Sequence, residues 1–184
     1  FATVDRDAAA ARLAGLLEEE RADLLVIYDE NGVYGHPDHV QVYEVGHRAA
    51  DLAATPALYL VTLDRDRMLA MAESTEFTPP DEPDRDLGTM GVQGWRITTE
   101  LDVRPWITRK REAMVAHRSQ IAPDSFFLDM TDEMFTDVWG TECYIRVRPE
   151  AAPGDPGGGR ESALALDAAA SAGSSGPPGA GQSG

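Results

Sequence analysis

The sequence predicts an α/β fold in which a mainly parallel, Rossmann-like sheet is flanked by helices. The first observation is that segments with apolar residues at helical spacing alternate with short, continuous apolar runs. The second is that the runs DLLVIYD (23–29) and ALYLVTL (57–63) have the composition of strands buried on both faces of a parallel sheet. With 184 residues, 42% of them hydrophobic, the chain is long enough for one such domain with its own core.

The elements follow in order along the chain. The first predicted helix contains Leu13, Leu16 and Leu17 at helical spacing, and good helix formers fill its other positions. The second opens on Pro37, since proline is favoured in the first turn of a helix. In chain order, the predicted elements are helix 5–21, strand 23–29, helix 37–54, strand 57–63, helix 64–74, strand 95–103, a helix from Pro105 to about Ser119, a short helix 131–138 and strand 142–148.

Two stretches are predicted to lie outside this core. Residues 74–91 are acidic and rich in proline and glycine, which is typical of a long surface loop. In residues 151–184, 27 of the 34 positions are Gly, Ala, Ser or Pro, so little apolar surface is available to offset the entropy lost on ordering. The sequence therefore predicts a folded domain over residues 1–150 and a disordered tail over 151–184.

Composition and charge argue against several classes of protein. The net charge of −16, from 32 acidic and 16 basic residues, argues against binding the phosphate backbone of a nucleic acid. No apolar run approaches the ~20 residues of a membrane-spanning helix, and we expect no secretory leader, since none follows Phe1. Cys143 is the single cysteine, so a reducing, cytoplasmic compartment is expected. The high Ala and Gly content suggests a bacterial gene, and a homo-oligomer is left open.

The segment VYGHPDHV (33–40) is the strongest candidate for a functional site. It brings two of the four histidines, His36 and His39, within four positions. It follows strand 23–29, and ligands of open α/β sheets bind at the carboxyl ends of strands. One imidazole of such a cluster can ligate a metal, while the other, oriented by a carboxylate such as Asp38, donates to a developing oxyanion. A solvated, capped loop is the alternative, and the spacing alone leaves both interpretations open.

The stretch DLLVIYDENGVYGHPDHV (23–40) resembles a conserved block of the LmbE-like deacetylases. This zinc family includes the N-acetylglucosaminyl-phosphatidylinositol de-N-acetylases and the deacetylase and amidase of mycothiol metabolism. A weaker match, RKREAMVAHRSQI (109–121), resembles the family's late helix with its Ala-His-x-x-Gln pattern. Together the matches cover roughly residues 1–150. The resemblance implies a zinc-dependent hydrolase that removes an acyl group, acetyl in the first place, from an N-acylated amino sugar or related small molecule.

The resemblance also implies roles for individual residues. His39 matches the family's zinc-ligand histidine, so Zn²⁺ is the expected cofactor. His36 matches the histidine that stabilises the tetrahedral intermediate. Asp38 lies where a carboxylate supports that histidine, and Tyr34 matches a tyrosine that reaches the substrate or the oxyanion in some members.

The family's other two zinc ligands and its general base come from an N-terminal His-Pro-Asp-Asp motif that this sequence lacks. We therefore expect the chain to be the C-terminal part of such a domain, with a sheet incomplete at its N-terminus and no activity alone. Two alternatives remain. One is a non-catalytic α/β binding domain that keeps the core without the metal, and the other is a metallo-hydrolase of another ester or amide.

The remaining candidates are predicted to have structural roles. His47 is placed on a helix surface, and His117 on the apolar side of its helix with a core or supporting role. Cys143 is predicted to be a small buried hydrophobe. Asp29 and Glu30, at the end of a strand, either shape the pocket or cap the loop. The tryptophans predicted in the core are Trp95, Trp106 and Trp139.

Overall fold

A computed structural model describes residues 1–74, 86–150 and 159–164 of the chain. The helices are Arg6–Glu19 (α1), Gly32–Gly35 (α2), Pro37–Leu52 (α3), Arg65–Ser74 (α4), Ile107–Ala116 (α5), Phe126–Asp129 (α6) and Asp132–Trp139 (α7). The strands are Leu24–Tyr28 (β1), Ala57–Thr62 (β2), Thr99–Asp102 (β3) and Thr141–Arg148 (β4). Three 3-10 turns cover Leu87–Thr89, Gly94–Arg96 and Arg104–Trp106. The α/β class predicted from the sequence is confirmed.

The described strands form one sheet in the order β1-β2-β4-β3. β1 and β2 are parallel, with Tyr28 opposite Val61, so their carboxyl ends lie side by side. β4 is antiparallel to both β2 and β3. The described sheet is therefore mixed, and it differs here from the mainly parallel sheet that the sequence predicts. The difference arises because an apolar run indicates how deeply a strand is buried and not the direction in which it runs.

Helices α1 and α3 pack together on one side of the sheet. Ala10, Ala14 and Leu17 of α1 meet Val45 and Ala49 of α3 in a buried cluster. The three alanines let the helices approach closely, and burial of the cluster stabilises the fold by about 25 cal/mol per Å² of apolar surface removed from water. The two helices thereby hold the first turn of α3 in a fixed place relative to the sheet.

Helix α3 also lies directly against β1. A Cβ atom on Gly46 would come within 2.5 Å of the Ile27 side chain, so this close approach requires glycine. Ile27 belongs to a second buried cluster with Ala50 of α3 and with Leu58 and Leu60 of β2. This packing sets the start of α3, where the histidines lie, at the carboxyl end of β1.

The strand β1 is less buried than its apolar sequence predicts. It is an edge strand of the described sheet, and Val26 remains 39% exposed. Burial on both faces was expected for residues 23–29, and this expectation is wrong for the described structure. The reason is that successive side chains of a strand point to opposite faces, so Ile27 packs against α3 while Val26 points to the other face, which is less fully covered at this position.

The stretches predicted as loop and tail are described only in part. Residues 75–85, 151–158 and 165–184 lie outside the described residues, so the predictions for them stay predictions. Within the predicted tail, 159–164 is described and contacts the sheet, where Glu161 forms a bridge with Thr99 of β3. The predicted strand 95–103 is shortened, because its first residues form the 3-10 turn Gly94–Arg96.

Candidate active site

The candidate site is built around the buried carboxylate of Asp29, at the carboxyl end of β1. Asp29 is 0% exposed. Its Oδ1 accepts hydrogen bonds from the main-chain amides of Asn31, at 3.0 Å, and Val33, at 2.8 Å. Its Oδ2 accepts a hydrogen bond of 2.5 Å from the hydroxyl of Thr62, the last residue of β2. Of the two roles weighed for Asp29, the structure shows loop capping, and the cap fixes the turn that leads to the histidines.

The turn that follows contains strained backbone. Gly32, Val33 and Gly35 have φ angles of +60°, +66° and +83°. Glycine adopts such angles readily, but a β-branched residue such as Val33 does so only under constraint. Asp29 holds the amide of Val33, and the carbonyl of Val33 accepts a 2.6 Å hydrogen bond from the amide of Gly91. Strain of this kind, held by surrounding contacts, is concentrated at functional sites.

The ring of His39 is fixed by two contacts. Its Nδ1 lies 3.2 Å from the carbonyl oxygen of Gly32. A carbonyl can only accept a hydrogen bond, so a bond at this distance requires the proton on Nδ1, and in that tautomer Nε2 offers a lone pair. The ring also stacks on Tyr28, with centroids 3.9 Å apart and planes 11° from parallel. His39 is therefore held in the form in which histidine ligates a metal through Nε2.

The ring of His36 takes the opposite form. His36 is the N-cap of α3, and its Nδ1 accepts a 3.2 Å hydrogen bond from the main-chain amide of Asp38. Since Nδ1 is the acceptor, the proton of the neutral ring is on Nε2, which becomes a donor. The rings of His36 and His39 lie 4.9 Å apart, centroid to centroid. The pair thus presents one N–H donor and one lone pair within a small space.

Tyr34 lies beside both histidines. Its ring centroid is 5.0 Å from that of His39 and 6.1 Å from that of His36. The side chain is 39% exposed, so it is accessible from solvent. The structure therefore brings together three of the residues that the sequence singles out, and their catalytic roles remain a prediction.

Asp38 contacts His36 differently from the arrangement expected. Its carboxylate Oδ1 accepts a 2.6 Å hydrogen bond from the amide of Ala2. The hydrogen bond from Ala2 lowers the pKa of Asp38 below its usual value. The group of Asp38 that bonds the His36 ring is the main-chain amide. Support of His36 by the carboxylate itself stays a prediction.

The chain is similar in sequence to several known proteins. No protein-family model matches it. It is 37% identical over 179 residues to the 1D-myo-inositol 2-acetamido-2-deoxy-alpha-D-glucopyranoside deacetylase of Streptomyces griseus, and the match covers 89% of this chain and 55% of the relative. The deacetylase 2 of the same name from Frankia casuarinae is 34% identical over 181 residues, covering 87% of this chain and 57% of the relative.

A third relative, the deacetylase of that name from Acidothermus cellulolyticus, is 34% identical over 173 residues and covers 89% of this chain. The chain is thus similar to these deacetylases over most of its own length. These matches confirm the resemblance predicted from residues 23–40. The chain spans about half the length of the curated relatives it matches, 55% of the Streptomyces griseus protein.

One contact that borders the site was not predicted from the sequence of the chain. Arg96, in the 3-10 turn Gly94–Arg96, forms an ion pair with Glu30. Glu30 begins the loop over residues 30–36 that leads to the histidines, here called the site loop. Burial of Glu30 acts against ionisation, but the hydrogen bond and positive charge of Arg96 outweigh it, and the pKa of Glu30 is lowered. The two residues are 66 positions apart, so no local pattern could have indicated the pair.

Several other predictions concern residues away from this loop. Cys143 is free and buried, as predicted, and burial raises the pKa of its thiol to about 11. The prediction that His117 lies on the apolar side of α5 is wrong. His117 is exposed at the end of α5, where its Nδ1 bonds the carbonyl of Ala113 at 2.7 Å. It follows the last helical turn, so the helical spacing used to place it does not apply.

The tryptophans were predicted in the core, which is wrong for two of them. Trp95 is 52% exposed and Trp106 is 57% exposed. Both belong to 3-10 turns, whose side chains do not follow the spacing of an amphipathic helix. Trp139 packs against Phe127 and Phe135, with ring centroids 5.8 and 6.5 Å away.

One side chain of the candidate site, His39, has the chemistry expected of a metal ligand. A catalytic zinc site uses three protein ligands. Within residues 1–74, 86–150 and 159–164, no group of three or more His, Cys, Asp or Glu side chains is arranged to hold a metal ion. His39 fits the chemistry of one zinc ligand, because its Nδ1–H is bonded to the carbonyl of Gly32 and its Nε2 lone pair is left for a metal.

Within residues 1–74, 86–150 and 159–164, no helix is both long enough and apolar enough to span a membrane.

Proposed function

We propose that the chain forms part of a zinc-dependent hydrolase that removes the acetyl group from an N-acetylated amino sugar or a related small molecule. The observation that supports it is the pair of imidazoles, His36 and His39, held in opposite tautomers at the carboxyl ends of parallel strands. A site that binds a metal on one side of an amide and donates to its oxygen on the other needs such a pair. The names of the relatives describe deacetylation of an acetamido sugar.

In this proposal His39 is one ligand of the zinc. When bound, zinc polarises the attacking water and the amide carbonyl. The bond from Nδ1–H to the carbonyl of Gly32 orients the ring, and stacking on Tyr28 keeps it from rotating. Such outer contacts are typical of metal-ligating histidines and increase the basicity of the ligating nitrogen.

His36 and Tyr34 are proposed to stabilise the negative charge that develops on the carbonyl oxygen. The Nε2–H of His36 is available as a donor, because Nδ1 is engaged by the amide of Asp38. Its position as the N-cap of α3 fixes the ring relative to the backbone. A preorganised donor of this kind is worth about 2.7–4 kcal/mol of transition-state stabilisation when measured by removing it.

The test separates the two histidines in the complete natural protein. His39→Ala is expected to lose most of the bound zinc, measured by elemental analysis, together with turnover of an N-acetylated amino sugar. His36→Ala is expected to keep its zinc and lose about 10²–10³-fold in kcat. His117→Ala, which removes an exposed histidine from the end of α5, is the matched control.

Equal zinc loss in the two variants would contradict this division of labour. A wild-type protein that binds the amino sugar without hydrolysing it, with or without zinc, would favour the alternative of a non-catalytic binding domain. Hydrolysis of simple esters with no action on the amide would favour a different metallo-hydrolase.

A further inference from the structure

The segment 159–164, here called the C-terminal strap, extends the sheet beyond β3. The amide of Glu161 donates to the carbonyl of Thr98 at 2.9 Å, and the amide of Glu100 donates to the carbonyl of Glu161 at 2.8 Å. This is the pattern of a short parallel bridge on a strand edge. Leu164 packs against the buried cluster that contains Tyr59. The strap is therefore attached through its main chain and through an apolar contact.

The side chain of Glu161 strengthens this attachment. Its Oε1 lies 2.8 Å from a guanidinium nitrogen of Arg146 in β4, and its Oε2 accepts a 3.0 Å hydrogen bond from the hydroxyl of Thr99. The Arg146 side chain is only 19% exposed. A half-buried ion pair that is also hydrogen-bonded is screened less than a pair on the open surface.

Arg160 reaches from the strap towards the candidate active site. One of its terminal nitrogens donates to Oδ2 of Asp64 at 3.0 Å and to the carbonyl of Gly94 at 3.1 Å. The other pairs with Glu100. Asp64 is 8% exposed and follows β2, so this guanidinium joins the strap, the end of β2 and the turn at Gly94.

The turn at Gly94 is closely surrounded by charged side chains. A Cβ atom there would lie 3.1 Å from the Arg160 guanidinium and 3.2 Å from carboxylate oxygens of Asp64 and Asp66. Its amide donates to Asp66 at 2.9 Å while its carbonyl accepts from Arg160. Both polar groups of this residue are thus bonded to charged side chains, and charge-assisted bonds are about twice as strong as neutral ones.

The turn and the residues just before it contact the loop that leads to the histidines. Arg96, in the turn, pairs with Glu30, the residue after the buried Asp29. Gly91, three residues before the turn, donates its amide to the carbonyl of the strained Val33. Movement of the turn would therefore reach the site loop directly through Arg96 and, along the chain, through Gly91.

We propose that the C-terminal strap is a positioning element of the candidate site, with Arg160 as the positioning residue. Arg160 holds the Gly94–Arg96 turn against the end of β2. Through Arg96, this turn contacts the site loop that carries Tyr34 and His36. A lysine could not replace Arg160 fully, because one ammonium cannot match the fork that bonds three acceptors at once. The catalytic consequence rests on the proposed deacetylase function, whereas the structural consequence does not.

Hydrogen–deuterium exchange of the complete natural protein tests the structural part. In Arg160→Ala, amides in 90–97 and 31–36 should exchange about tenfold faster, while those of α1 should not change. Arg160→Lys should give an intermediate increase, and it serves if the alanine variant folds poorly. The matched control is Arg67→Ala, which removes the other guanidinium from Glu100 without contacting Gly94.

Faster exchange spread evenly over the protein would mean that Arg160 contributes only general stability, and this would overturn the proposal. Unchanged exchange in 90–97 and 31–36 would overturn it equally. If the wild type deacetylates an N-acetyl amino sugar, Arg160→Ala should lower kcat/KM about tenfold with Arg67→Ala unaffected. A wild type without turnover would count against the proposed function and leave the exchange result to decide the role of the strap.

Discussion

The hydroxyl of Thr62 donates a 2.5 Å hydrogen bond to the buried carboxylate of Asp29, and this bond joins the carboxyl ends of β1 and β2. The other oxygen of Asp29 holds the amides of Asn31 and Val33, so one side chain connects two strands to the turn before the histidines. The carboxylate is 0% exposed and accepts all three of these hydrogen bonds. The shape of the site loop therefore depends on it.

Thr62→Val should lower the free energy of unfolding by about 1.5–3 kcal/mol, because it removes a hydrogen bond to a charged, buried group at almost unchanged volume. Thr55→Val is the matched control. Thr55 is 2% exposed, and its hydroxyl has no hydrogen-bond partner in the described structure, so valine there should be neutral or stabilising. Urea unfolding of both variants measures the difference, and equal losses would show that the bond to Asp29 has no special weight.

Gly32→Ala should displace His39, since the added Cβ would lie 2.7 Å from the His39 Cβ. Gly35→Ala provides a comparison, because Gly35 also has a positive φ but has open space at its Cβ position. Both variants should lose about 1–2 kcal/mol to left-handed strain. Only Gly32→Ala should also shift the NMR signals of the His39 ring. A similar shift in both variants would point to strain in the backbone as the cause.

Stability should fall on the acid side partly because of His47. Burial lowers the pKa of His47 below its usual 6.5, and its Nε2 has no hydrogen-bond partner in the described structure. Because the pKa of His47 is lower in the folded protein than in the unfolded chain, the unfolded chain binds the proton more tightly. The free energy of unfolding is therefore unaffected by His47 above pH 6.5 and falls as the pH drops below that value. The charged residues that also act on it are Asp51, Arg148, Glu44 and Glu30.

His47→Leu should therefore flatten the pH dependence of the unfolding free energy between about pH 7 and 5. His117→Leu, at an exposed histidine, should leave that dependence as in the wild type. Urea unfolding at a series of pH values gives both curves. A wild-type slope in His47→Leu would mean that other groups dominate acid unfolding.

The thiol of Cys143 should be unreactive in the folded protein. Burial raises its pKa to about 11 from a usual value of 9.0. Thiolate is the reactive form, so alkylation at pH 8 should be slow in buffer and fast in urea. Because the pKa of Cys143 is higher in the folded protein than in the unfolded chain, ionisation of the thiol favours unfolding. The contribution of the buried thiol to the free energy of unfolding is therefore complete below pH 9 and is lost as the pH rises towards 11. Rapid labelling of the native protein would show that β4 opens readily.

The local part of the site could be predicted from the sequence. His36 and His39 lie at a strand–loop–helix boundary, where the apolar run before them and Pro37 after the first histidine mark the elements. The burial of Asp29 had a weak signal, an acid directly after an apolar strand. These features depend on neighbours a few positions away, and short-range patterns report them well.

The rest depends on contacts between distant parts of the chain. The ion pair of Arg96 with Glu30 and the bonds of Arg160 with Asp64 and Gly94 join residues 66 to 96 positions apart. The antiparallel insertion of β4 is likewise a matter of pairing and not of composition. The prediction of a disordered tail rests on the average composition of residues 151–184. An average of this kind does not indicate that Arg160, Glu161 and Leu164 attach the strap to the sheet.

The placement of the strap has a consequence for the order in which the protein matures on the ribosome. Thr99 and Glu161 are 62 positions apart, and chains fold from the N-terminus as they are synthesised. The turn before the histidines can close as soon as β1, α3 and β2 have emerged, because Asp29 and Thr62 are then both present. The Gly94 turn receives its guanidinium only when Arg160 has left the exit tunnel. In a nascent chain stalled before that point, the two imidazoles would be in place while the Gly94 turn still lacked its bonds to Arg160, so the turn is fixed only after the strap has been synthesised.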